Sequence, residues 1–116
     1  MAINKSLLTG STTMLILKLL EDKDMYGYQM IEELGNKSDN TFSLKAGTLY
    51  PLLHNLEEDG VVSSYDDNAD TARVRKYYGI TKKGRRLLAE KREEWEEYSN
   101  AVNKVLNGGD GFAAAY

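Results

Sequence analysis

The apolar positions of this chain change period several times, and each change marks an element. Over residues 3–20, Leu8, Leu15, Ile16, Leu19 and Leu20 share one side of a helix, with a weaker polar middle at 10–13. Residues 21–24 (EDKD) connect it to a second helix over 26–34, where Tyr28, Ile31 and Leu34 keep helical spacing with Met30 beside them. Gly35-Asn36 is the expected C-cap, followed by a loop at 36–40 and a short extended piece at 41–44. A third helix spans 44–59 and stops at Gly60; in it Leu49, Leu52, Leu53 and Leu56 recur at i, i+3, i+4 and i+7. Two runs with strand character, 61–65 and 73–80, flank a polar hairpin loop, DDNADTA. Thr81 then offers an N-cap hydroxyl to a long last helix over 82–106, which ends at Asn107-Gly108-Gly109.

Three helices, a two-stranded hairpin and a long helix, in that order, describe a winged helix-turn-helix, a mainly α (α+β) class. An unspecialised α+β domain is the alternative. The expected organisation is a winged helix-turn-helix DNA-binding domain over 1–81, a C-terminal dimerisation helix over 82–107 and a flexible tail over 108–116. Pro51 lies inside the third helix, where proline costs about 3 kcal/mol through a lost N–H and a clash with the carbonyl four residues back. At about 100° per residue, Pro51 falls opposite the leucine stripe together with Gly47 and His54. The disturbed backbone is therefore expected on the outer side of the helix, where a freed carbonyl is not stranded in the core.

With 41% hydrophobic residues over 116 positions, the chain can bury one small core, which a partner subunit would help to stabilise. No apolar run approaches the roughly 18 residues of a membrane span. The apolar patch near the N-terminus flows into an amphipathic pattern with no small-residue cleavage site, so neither a membrane contact nor a signal peptide is expected. The chain has no cysteine, which removes disulfides and thiol chemistry and suits a reducing cytoplasm. It has one histidine, no His–carboxylate pair at ligand spacing and no serine with a base partner, so no enzyme, metal site or cofactor is expected. The glycine-rich NGGDG at 107–111 follows a helix and opens none, unlike a phosphate loop.

Charge sharpens this picture through its distribution. The net charge is −3, yet residues 73–86 carry seven cations and no acid. Residues 57–70 just before them carry six acids and no base. A basic island in an acidic chain points to one local surface for an anionic partner, or to a solvated hairpin and helix start.

Three groups of residues are candidates for that kind of work. A helix that reads DNA needs one buried stripe and one bare face of small or hydrogen-bonding residues. The third helix supplies it: Lys45, Ala46, Gly47, Thr48, Tyr50, Pro51, His54 and Asn55 lie off the leucine stripe, and the acids at 57–59 wait for the last turn. Thr48 bonding its own backbone, Tyr50 packing, and His54 as an ordinary surface histidine are the alternatives. In the hairpin, Arg73, Arg75 and Tyr77 alternate onto one face, with Val74, Lys76 and Tyr78 on the other, so Arg73, Arg75, Lys76 and Tyr77 are the candidate DNA contacts of the wing, with Arg73 and Arg75 at phosphates or the minor groove. In the last helix, Leu88, Lys91, Trp95, Tyr98, Val102 and Val105 are spaced 3, 4, 3, 4, 3, the seam of a helix that pairs with another helix.

MYGYQMIEEL (25–34), LKAGTLYPLLHNLEEDGVVSSY (44–65) and RKYYGITKKGRRLL (75–88) together resemble the PadR family of transcriptional regulators, over about residues 7–88. The single C-terminal helix resembles the small subfamily, which dimerises through its first and last helices. The resemblance implies a cytoplasmic homodimer that binds double-stranded DNA at an inverted-repeat operator and represses transcription, often until an effector releases it. Multidrug-binding members of the subfamily are similar around Trp95, using a tryptophan there to sandwich flat aromatic ligands at the dimer centre. This chain departs from them in the charges beside it, Lys91, Glu94 and Glu96. Trp95 as a packing anchor of the dimer stands as the alternative. A winged-helix protein–protein interaction module without operator binding is the second functional reading, and the net acidity permits it.

Overall fold

Asn4 starts the first helix: its side-chain oxygen accepts the Ser6 N–H at 2.8 Å, and α1 (Lys5–Asp22) follows. The computed structural model describes residues 3–67 and 74–108. After α1 come β1 (Met25–Tyr26), α2 (Gly27–Lys37), α3 (Ala46–Glu58), β2 (Val62–Asp67), β3 (Arg75–Ile80) and α4 (Lys82–Leu106). This is the expected mainly helical winged helix-turn-helix. The loop positions 68–72, Arg73, and the tail beyond Gly108 lie outside the described residues.

The sheet has three strands where the sequence indicated two, in the order β1-β3-β2. β1 pairs antiparallel with β3 through Met25↔Tyr78 and Tyr26↔Tyr77. Two residues show no alternation, so only the neighbouring strand makes β1 visible. A second correction concerns Gly35, which is helical rather than a cap. α2 runs on to Lys37, and the chain reverses at Asp39 and Asn40, both at positive φ, with the Asn40 N–H donating to the Gly35 carbonyl at 2.7 Å. Asparagine and aspartate tolerate that region better than other side chains.

The core forms where α1, the helix-turn-helix pair and the sheet meet. Ile16, Leu17 and Leu20 of α1 are fully buried among Met25, Met30, Leu49, Leu53, Val62 and Leu88. Burying each such side chain contributes about 2 kcal/mol. The buried positions of α1 go round most of its C-terminal half, because α2, β3 and α4 all pack on it. In α3 the burial is one-sided: Leu49, Leu53 and Leu56 face the core, and Gly47, Thr48, Pro51, His54 and Asn55 face out.

One corner fixes α4 onto this body. Gly60 adopts φ +76°, and the N–H groups of Gly60 and Val61 donate to the carbonyls of Glu57 and Leu56, closing α3. The Thr81 hydroxyl donates to the Gly60 carbonyl at 2.7 Å and accepts the Gly84 N–H at 3.0 Å, capping α4. Gly84 is buried against this turn, and a Cβ there would strike the Val61 carbonyl oxygen. Beyond Leu88 the helix leaves the core.

Candidate nucleic-acid interface

The two helices of the helix-turn-helix begin differently from the two that build the scaffold. α1 and α4 have side-chain caps, Asn4 and Thr81. α2 and α3 start at Tyr26 and Lys45, and neither side chain caps a first-turn N–H. No acid lies in the first turn of either helix. Each start therefore presents amide donors and the positive end of its dipole.

Around the start of α3, Lys45, Gly47, Thr48, Pro51, His54 and Asn55 are exposed and Ala46 is half-buried. Open space surrounds Gly47. His54 Nε2 lies 3.6 Å from Glu58 Oε1 one turn on, an exposed pair that attracts only when the imidazole is protonated. Tyr50 joins the two helices: its phenol lies across Gly27, so closely that a Cβ at Gly27 would collide with the ring and hydroxyl. Burial, reinforced by Tyr28 and Tyr78, holds the Tyr50 phenol above its ordinary pKa, so it remains a hydrogen-bond donor. Tyr28 meets Tyr50 edge-on at 6.5 Å and is 65% exposed. Sequence reasoning placed Tyr28 on the apolar spacing of α2. Its position on the second residue of an uncapped helix was the signal that could have put it on the outer face.

The basic island divides. Arg75 and Lys76 lie at the far end of the described ladder, paired across from Asp67 and Asp66. Lys82, Lys83, Arg85 and Arg86 are exposed on the start of α4, beyond the other end of β3, about 17 Å of strand away. Arg75 and Tyr77 share a face as expected, and that face is aromatic. Tyr77 stacks on Tyr65 at 5.9 Å and meets Tyr26 edge-on at 5.4 Å, while the Arg75 guanidinium lies 4.6 Å over the Tyr26 ring. On the opposite face Lys76 Nζ lies 5.9 Å over the ring of buried Tyr78.

The seam of α4 also divides. Leu88 is 2% exposed and belongs to the domain's own core. Lys91 and Val102 are half-buried, whereas Trp95 and Tyr98 are 48% and 61% exposed, their rings 6.2 Å apart. Between this stretch and α1 lies an open cavity of about 370 Å³, lined by Ser6, Leu7, Gly10, Ser11 and Met14 on one side and Lys91, Glu94, Trp95 and Tyr98 on the other. Among the described residues no group of histidine or acidic side chains could hold a metal, and no helix is long and apolar enough to cross a membrane.

Known proteins share this arrangement. A transcriptional regulator from Clostridium thermocellum superposes with a TM-score of 0.79 at 34% identity, covering 85% of this chain and 96% of that one. A PadR family transcriptional regulator from Eggerthella lenta does so at 0.77 and 36%, covering 87% and 86%. A transcriptional regulator of Mycobacterium tuberculosis is 37% identical over 87 residues, 75% of this chain and 78% of that protein. Residues 16–90 match the "Transcriptional regulator PadR-like family". The chain therefore belongs to the PadR-like family of transcriptional regulators, DNA-binding proteins rather than enzymes.

Proposed function

We propose that this protein is a cytoplasmic homodimeric repressor that reads an inverted-repeat operator and is released from it by a small aromatic effector. One observation carries the DNA-facing side: α2 and α3 both start uncapped and free of acids, with exposed Lys45, Thr48, Tyr28 and Tyr50 beside those starts. Uncapped helix starts bind phosphate oxygens, and hydroxyls and lysines add donors. Gly47, Thr48, Pro51, His54 and Asn55 then face the base edges of the major groove, and Arg73, Arg75 and Lys76 follow the backbone from the wing. The missing N–H of Pro51 falls on the side turned to the groove.

The dimer is supported by the exposed apolar side chains of α1 and α4, Leu7, Trp95, Tyr98, Val105 and Leu106. A monomer gains nothing by leaving these in water, and a two-fold pairing covers the same patch on both copies. The cavity beside Trp95 is then the effector site, and Lys91 and Glu94 in its wall favour a flat ligand that carries charge or polar groups.

Binding to duplex DNA from upstream of the protein's own coding sequence, in a gel shift over a salt series, tests the reading. Arg73→Ala combined with Arg75→Ala is expected to weaken operator and random DNA about equally and to flatten the salt slope by about two units. An unchanged slope removes the wing from the interface, and no shift at any salt favours the protein-interaction module. Titrating flat aromatic cations while following Trp95 fluorescence tests the cavity; no quenching by any of them leaves Trp95 as a packing anchor.

A further inference from the structure

The outer face of the sheet carries a contact that none of these surfaces uses. β3 is the middle strand, and β1 covers it only opposite Tyr77 and Tyr78. Beyond that, the pairs Asp66↔Lys76 and Asp67↔Arg75 continue as a two-stranded ribbon. Two-stranded ribbons twist more than full sheets do. Tyr65, paired with Tyr77, therefore marks the point where the wing leaves the body.

A strap crosses the sheet at that point. Asp24 follows α1 and, continuing the β1 register, lies opposite Gly79. A Cβ at Gly79 would come within 2.6 Å of Asp24 Oδ1, so the carboxylate passes over the bare strand. On the far side the Tyr65 hydroxyl donates to Asp24 Oδ2 at 2.8 Å. That bond also holds the Tyr65 phenol above its ordinary pKa. From Tyr65 the ring contacts lead through Tyr77 and Tyr26 to Arg75. The hairpin is already closed by its own ladder, and the strap is solvent-exposed, so folding gains little from it.

We propose that Asp24, Gly79 and Tyr65 are positioning residues for DNA binding, strapping the wing to the end of α1 so that Arg75 meets the duplex at a set angle. This rests on the reading of Arg75 as a phosphate contact.

A double-mutant cycle on the full chain tests it, using the upstream duplex and the salt series, with thermal unfolding as the control. Asp24→Ala and Tyr65→Phe are each expected to unfold like the wild type, to bind about three- to tenfold more weakly and to flatten the salt slope. The double variant is expected to be no worse than either single one. Asp24→Asn keeps an acceptor oxygen and is expected to bind nearly as the wild type does. Additive losses overturn the strap, as does a loss of affinity that tracks a loss of thermal stability. If Arg75→Ala flattens the slope while Tyr65→Phe changes neither slope nor affinity, the strap fails and the wing reading stands. An unchanged slope in Arg75→Ala overturns both.

Discussion

α3 and α4 are both amphipathic, and each leaves one side uncovered, but the uncovered sides are opposite in kind. α3 buries leucines along its whole length and shows solvent small and hydrogen-bonding groups. α4 buries only Gly84 and Leu88, then carries Trp95, Tyr98, Val105 and Leu106 into solvent among glutamates. A polar face that begins at an uncapped, acid-free helix start has donors to offer an anion. An exposed apolar face has area to remove from water. The two helices therefore suit different kinds of partner: nucleic acid for α3, an apolar surface for α4.

The contrast is broken most strongly from inside α3. Leu53→Ala empties a fully buried site and is expected to cost about 3 kcal/mol, read as a lower midpoint in denaturant unfolding. Trp95→Ala is the matching change in α4. It is expected to leave monomer folding unchanged and to weaken self-association about thirtyfold, as followed by analytical ultracentrifugation. A drop in monomer stability of the size seen for Leu53→Ala would show that the α4 face is core after all. Pro51→Ala sharpens the outward assignment of the α3 face. Restoring an N–H and removing the carbonyl clash is expected to raise stability by about 1 kcal/mol while DNA affinity changes. Unfolding in that variant would place Pro51 in the core. The smallest effect concerns pH. The Tyr65 pKa is raised in the fold above 10.0, so the contribution of its bond to Asp24 is present below pH 10.0 and is lost as pH rises through the folded value. Tyr65→Phe is expected to remove that small alkaline component from the stability-versus-pH curve while leaving the neutral-pH unfolding midpoint close to that of the wild type.

Residue by residue, legibility followed the range of the cause. The α3 stripe, the Gly60 turn and the Thr81 cap all arise from neighbours within four residues, and each is where the sequence put it. β1 was invisible because two residues show no period, and Gly35 misled because the αL positions fell to Asp39 and Asn40 instead. Leu88 keeps the seam spacing of α4 yet sits in the core, because spacing along a helix does not say where the neighbouring body ends. Arg75 read as a candidate phosphate contact, with nothing to show that across the sheet it meets Tyr26, nearly fifty positions earlier in the chain.

The sequence by itself determined the order of the four helices and the hairpin, the leucine face of α3, the Thr81 cap and the absence of cysteine, because periodicity and capping are local properties of a chain. Only the tertiary structure decided that the basic island is two groups at opposite ends of β3, that Tyr50 lies on Gly27, and that Asp24 reaches Tyr65 over Gly79. Those facts depend on which strands become neighbours, and strand neighbours are chosen by burial of the whole core rather than by any one segment.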